Sequence, residues 1–267
     1  MQSSVKRAGA VLAATAVLAA GCSSNDSGSD GDSNGDSGTT SIRIGAAASL
    51  TDVLPQLIEK FNEQNPDVKV DFEPGGSPTL VSQLLGGAPY NLVMLASESS
   101  IKPAIEAGAV AENEIFAKNV PQIAVPKDNP AHVENVRDLA RDGVRVALCE
   151  VKVPCGEAAQ KVLDADGVQF DPVTRENDVT TVLTRVRTGE VDAGMVYRTD
   201  VASAKGDVEG IDVENADSAT TKYPVALTSN DDKDQKAKDA SEAFKTFLLG
   251  PDGQKILADA GFLSRGN

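Results

Sequence analysis

Four turns in the 267-residue sequence join a β-type run to the start of a helical pattern without Lys, Arg or His: GAAASLTDVL with Ser49, GGSPTL with Ser77, VPCGEAA just after Pro154, and ENDVTTVL, whose helix opens at Val179. A helix start leaves backbone N–H groups without intrahelical partners and carries the positive end of the macrodipole, so each of these turns favours an anion. The alanines of Ala46 to Ala48 fit that purpose, because short side chains let a ligand come down onto the main chain. The chemistry implied is binding of an anion by neutral dipoles, with hydroxyl and amide protons as donors. One serine at one helix start is most often a simple N-cap. The coincidence of several such starts is what points to a site.

The elements that must position these turns are legible as alternation. From Ile42 onward short β-branched runs alternate with helical periodicities, the signature of βα units and parallel sheets. Strands are predicted at Ile42 to Ile44, in VKVDFEP with Val68, Val70 and Phe72 alternating, and in YNLVMLAS, VPQIAVP, VRVALCE, VDAGMVY and TKYPVALTS. One helix is predicted on the stripe Val53, Leu54, Leu57, Ile58 and Phe61, and a second with Ser77 as N-cap and Pro78 at the first helical position. GEAAQKVLDADG reads as a helix closed by its glycine. Another opens at Asn177 or Asp178 on the stripe Val179, Val182, Leu183 and Val186, and the tail holds two broken at Gly250-Pro251. In an open α/β fold the turns after the strands gather at one end of the sheet. Periodicity alone leaves open one doubly wound sheet or two smaller ones.

Composition narrows the partner. A net charge of −15 argues against a nucleic-acid backbone, whose binding runs on clustered Lys and Arg, and the absence of Trp argues against base or sugar stacking. Residues 1–21 read as an export signal, with Lys6 and Arg7 ahead of the apolar run Ala8 to Ala20, which is too short to span a bilayer. The run ends in LAAGC, which resembles the lipobox of bacterial lipoproteins, with Cys22 as the lipidated residue. Residues 22–41 are then a Ser/Gly/Asp-rich tether that nothing could bury. The remaining cysteines, Cys149 and Cys155 in CEVKVPC, favour a disulfide in an oxidising compartment. Zinc is the rival, and the sole histidine, His132, lies in a Pro-flanked segment remote in sequence.

GAAASLTDVL, GGSPTLVSQLLGGAP, VPCGEAA, ENDVTTVL, GMVYRTDV, YPVAL and GPDGQKILADAGF follow one another in the order and at about the spacing of molybdate-binding proteins of ABC importers. The chain resembles that family from Ile42 to Phe262. The resemblance implies an α/β, two-lobed periplasmic-binding-protein fold of type II, each lobe a mixed, mainly parallel sheet flanked by helices, with the ligand cleft between the lobes. Lobe 1 would comprise residues 42–123 plus 225–267 and lobe 2 residues 124–224, with hinges near Val120 to Pro126 and Lys222 to Val225. The residues carried over as ligand-binding are Ser49, Ser77, Cys155, Val179 and Tyr197; Cys155 and Val179 act through backbone N–H groups, and family members often have alanine in place of Cys155. The ligand implied is molybdate, and also tungstate, held as its oxyanion with no direct protein–metal bond, no cofactor and no catalysis. The implied partner is an ABC permease in the membrane, served by a monomeric, extracytoplasmic, lipid-anchored protein. Where the family usually has acids near its third strand, this chain has Asn91 and Ser97.

Molybdate and tungstate carry no proton near neutrality, so a donor-only site suits them, whereas phosphate keeps a proton and gains from a carboxylate acceptor. A sulfate or phosphate receptor on the same fold is the nearest alternative. A secreted serine hydrolase using Ser49 or Ser77 would need His132 or a lysine as base, and no Gly-x-Ser-x-Gly elbow surrounds either serine.

Overall fold

The computed structural model describes residues 39–230 and 234–266; the signal segment and Cys22 lie outside the described residues. In chain order the strands are β1 (Thr40–Ala47), β2 (Val68–Gly75), β3 (Leu92–Met94), β4 (Glu114–Asn119), β5 (Pro121–Pro126), β6 (Val146–Cys149), β7 (Thr174–Glu176), β8 (Ala193–Tyr197), β9 (Val208–Asp212) and β10 (Thr221–Leu227). The α-helices are α1 (Leu54–Asn62), α2 (Ser77–Leu85), α3 (Glu98–Glu106), α4 (Pro154–Asp166), α5 (Val179–Arg187), α6 (Arg198–Ser203), α7 (Gln235–Leu249) and α8 (Pro251–Asp259).

The strands form two five-stranded sheets, ordered β2-β1-β3-β10-β4 and β7-β6-β8-β5-β9. In the first, β1 runs parallel to β2 and β3 while β10 runs antiparallel to β3 and β4. In the second, β6 runs parallel to β7 and β8 while β5 runs antiparallel to β8 and β9. Two sheets, each with one reversed strand in the same place, resolve the choice that periodicity left open. The chain passes from the first sheet to the second at Val120, between β4 and β5, and returns between Asp212 and Thr221. The return therefore comes ahead of Lys222 to Val225, because those residues already pair with β4.

Each sheet is covered on both faces. Ile42, Ile44, Leu57, Phe61, Met94 and Phe244 belong to the core between the first sheet and α1, α7 and α8, where the Phe61 and Phe244 rings meet edge to face at 5.1 Å. The stripe read from the sequence supplies α1's side of it: Leu54, Leu57 and Phe61 are buried. Leu80, Val81 and Leu84 of α2 pack on the opposite face with Tyr90 and Val93. In the second sheet, Val146, Leu148 and Met195 join Val162 of α4 on one side, and Ala147 and Val196 join Val182 and Val186 of α5 on the other. Burial of side chains of this size stabilises by roughly 1.5–3 kcal/mol each relative to exposure, which is what holds the turns in place.

Two local expectations shift. Gly76, not Ser77, is the N-cap of α2, so Ser77 is its first residue and Pro78 its second; the Ser77 hydroxyl is drawn away from its own helix to accept from the Ala96 N–H. Ser49 sits on a 3₁₀ turn, Ala48–Leu50, which separates β1 from α1. Asn91 accepts from the Arg43 N–H through Oδ1, and Ser97 caps α3 by accepting from the Ser100 N–H.

Candidate functional site

The residues at and just beyond the carboxyl ends of β1, β2, β3, β6, β7 and β8 line one cavity of about 10 Å³. That is room for a single small ion, not for a sugar or a peptide. Ser49, Ser77, Cys155, Val179 and Tyr197 all lie on its wall, together with Gly76. The structure thus brings together, from both sheets, the five residues that the sequence picked out. His132 is not among the lining residues.

Each wall residue is set by its element. Ser77 is buried, and its Oγ accepts from the Ala96 N–H at 3.1 Å, leaving its own proton to be donated. Val179 opens α5, so its N–H belongs to the unpaired first turn. Its neighbour Asp178 also lines the cavity, but Oδ1 of that carboxylate accepts from the Thr181 N–H at 2.8 Å and both oxygens lie 3.1 Å from the Thr181 hydroxyl. The one acid on the wall is engaged in capping its own helix. Cys155 is the second residue of α4, and its Sγ is bonded to that of Cys149 at the end of β6. The disulfide closes a short loop and fixes where the Cys155 N–H can lie.

Tyr197 ends β8 and is buried, and its hydroxyl has no hydrogen-bond partner among the described residues. Burial pushes its phenol well above the usual tyrosine range, the neighbouring Tyr223 adds to the rise, and Thr221 opposes it. The group is therefore a proton donor at any physiological pH. A buried unpaired hydroxyl costs roughly 1–3 kcal/mol, a cost that a bound acceptor would remove.

The two sheets also touch around the cavity. The Ser99 hydroxyl donates to Glu157 Oε2 at 2.7 Å, and the Thr180 hydroxyl reaches the Ala48 carbonyl at 3.4 Å. Burial works against the charge of Glu157, but Ser99 and Lys161 outweigh it and hold the carboxyl below its ordinary range. Gly76 meets the Asn177 carbonyl so closely that a Cβ added there would stand 2.2 Å from the oxygen.

Residues 42–263 match the family described as bacterial extracellular solute-binding protein. The chain belongs to that family. This solute-binding protein is 33% identical over 226 residues to the molybdate-binding protein ModA of Mycobacterium tuberculosis, covering 84% of this chain and 85% of that one. It is 30% identical over 254 residues to the ABC transporter substrate-binding lipoprotein YvgL of Bacillus subtilis, described as putative, covering 92% and 93%. The periplasmic molybdate-binding protein of Azotobacter vinelandii shares its fold, with a TM-score of 0.72 at 24% identity over 83% of this chain and 98% of that one. The two-lobed fold expected from the sequence is the one observed.

Several residues on or behind the cavity wall of the solute-binding protein escaped the sequence reading. Tyr223 was visible only as part of YPVAL, Thr199 only as part of GMVYRTDV, and Gly76 only as a neighbour of Ser77; Asn119 carried no signal at all. Asp200 is a further one: it is buried and accepts from the Tyr197 N–H at 2.7 Å. Burial raises its pKa to about 7, with that N–H opposing the rise and Asp52 adding to it. A carboxyl raised above its unfolded value of about 3.9 favours the fold fully below that pH and loses the advantage as pH rises through 7. Asp200→Asn should therefore match the parent in stability near pH 4 and exceed it at pH 8, by up to about 4 kcal/mol, read as a higher melting temperature. A gap that does not widen with pH between 4 and 8 would refute this.

Proposed function

We propose that the protein captures molybdate, and also tungstate, and delivers it to an ABC-type permease. Ser49, Ser77, Tyr197 and the N–H groups of Cys155 and Val179 are the donors. The observation that carries this reading is the Tyr197 hydroxyl, buried on the cavity wall with its proton uncommitted. It stands beside two serines and two helix-start residues, and the only carboxylate on the wall is engaged elsewhere. A donor-only site suits an oxyanion that carries no proton, and charge-assisted hydrogen bonds contribute roughly 1.5–3 kcal/mol each. The relatives named as molybdate-binding support the same ligand.

On this reading the protein is a binder, as its solute-binding family suggests. The lobes close as a hinge about Val120 and residues 213–220, each supplying donors to one ion. The family is extracellular, and lipidation at Cys22 followed by the acidic tether would hold the monomer beside its permease.

A thermal-melt panel tests the ligand. Molybdate and tungstate at about a hundred times their Kd should raise the melting temperature by about 5–10 °C, with sulfate and phosphate giving no comparable shift. A larger rise with sulfate would transfer the assignment to the smaller ion.

A further inference from the structure

A chain of buried polar groups runs behind the cavity. Asn119 ends β4 at the crossing between the sheets and is fully buried. Its Oδ1 accepts from the Val120 N–H at 3.0 Å, which fixes the amide so that Nδ2 faces outward as a donor. One Nδ2 proton goes to the Thr199 hydroxyl at 2.8 Å, and the other points to the Tyr223 hydroxyl at 3.5 Å, the edge of hydrogen-bond range. Tyr223 is buried too, and its hydroxyl lies 2.8 Å from Ser49 Oγ. Tyr223 itself does not line the cavity, whereas Ser49 does.

Distance alone does not say which oxygen donates between Ser49 and Tyr223. The amide favours one direction. The Asn119 donor takes one of the two lone pairs of Tyr223 Oη, and Ser49 Oγ at 2.8 Å is the near acceptor for the phenol's single proton. Ser49 then has one of its two lone pairs engaged from behind, and its own proton is directed to the cavity. The Ala96 N–H does the same for Ser77.

We infer that Asn119 and Tyr223 are positioning residues which lock Ser49 as a hydrogen-bond donor and so make the site reject oxyanions that carry a proton. The inference rests on the oxyanion reading above and extends it to a rule of selection. A protonated oxyanion such as hydrogen phosphate must place its P–O–H against an acceptor, and Ser49 held in this way turns its proton to the ion instead. Released from the phenol, the same serine can rotate and accept. The consequence is specificity set two residues away from the ligand, at the crossing where the lobes join.

The test is titration calorimetry at pH 8 with molybdate and with hydrogen phosphate, on the parent, Tyr223→Phe, Ser49→Ala and the double variant. Tyr223→Phe is expected to lose about tenfold in molybdate affinity and to narrow the molybdate-to-phosphate ratio by at least that factor. In the Ser49→Ala background it should have no further effect on that ratio, because the group through which it acts is gone. Asn119→Asp serves as a second variant should Tyr223→Phe not fold. It keeps the shape but turns a donor into an acceptor for the phenol, and should narrow the ratio likewise. An unchanged ratio in Tyr223→Phe, or in Asn119→Asp where that variant alone folds, would overturn the relay even if both affinities fall together. So would a full additional effect of Tyr223→Phe on top of Ser49→Ala. Failure of the parent to bind molybdate at all would be a different result: it would remove the oxyanion reading, and the relay with it.

Discussion

Gly76→Ala is expected to weaken oxyanion binding by roughly ten- to a hundredfold while leaving the melting temperature of the ligand-free protein unchanged. The backbone at Gly76 has φ −63° and ψ 134°, a conformation any residue adopts, so alanine brings no local strain. The obstacle lies on the other lobe. A Cβ would stand 2.2 Å from the carbonyl oxygen of Asn177, and the nearer of its other contacts is the Asn177 carbonyl carbon at 3.3 Å. Neither is the end of a flexible side chain that could step aside. Overpacking of this kind costs roughly 1–3 kcal/mol, which the ligand-bound form would bear if the lobes part when the ion leaves. Asn177 directly precedes Asp178 and Val179, so pushing it back withdraws the α5 start from the cavity while Ser77 stays with α2. Calorimetry on the variant reads the loss, and a melt without ligand reads the fold. Parental affinity in Gly76→Ala would mean that the ion binds without the two lobes meeting at this point.

The same residue marks the limit of what sequence could tell. The stripes that become cores were legible because period fixes which face is buried: Leu54, Leu57 and Phe61 on α1, and Val182 and Val186 on α5, turn inward as their spacing requires. The cavity wall was legible through its turns, since a strand followed by a small residue and a helix start is a local pattern. Gly76 was not, because its requirement comes from a carbonyl a hundred residues away. Asn119 and Tyr223 were not for the same reason: their roles depend on which proton points where, and that is settled only when β4, β10 and the turn after β1 meet. Short elements were also lost. β7 is three residues with one side exposed, and α6 is six residues held by the Asp200 carboxylate, too brief for a period to declare itself. Ser77 shows the intermediate case, where the sequence named the right residue for a capping role that the fold gives to Gly76.

The largest effect should come from removing both serine hydroxyls. Ser49→Ala and Ser77→Ala each delete one donor to a dianion, a loss of roughly 1.5–3 kcal/mol apiece, so each variant should bind about ten- to a hundredfold more weakly. The serines stand on different turns, after β1 and at the start of α2, and hold no hydrogen bond to one another in common, so their losses should nearly add. The double variant should then fall by about a thousandfold or more. The two differ in what they do to the fold. Ser77→Ala leaves the Ala96 N–H without its acceptor in a buried position and should lower the ligand-free melting temperature. Ser49→Ala leaves the Tyr223 hydroxyl still facing Asn119 and should lower it less. A ligand-free melt therefore separates the structural part of each substitution from its share of the affinity. Undiminished molybdate binding in the double variant would place the ion somewhere other than the cavity between these two turns.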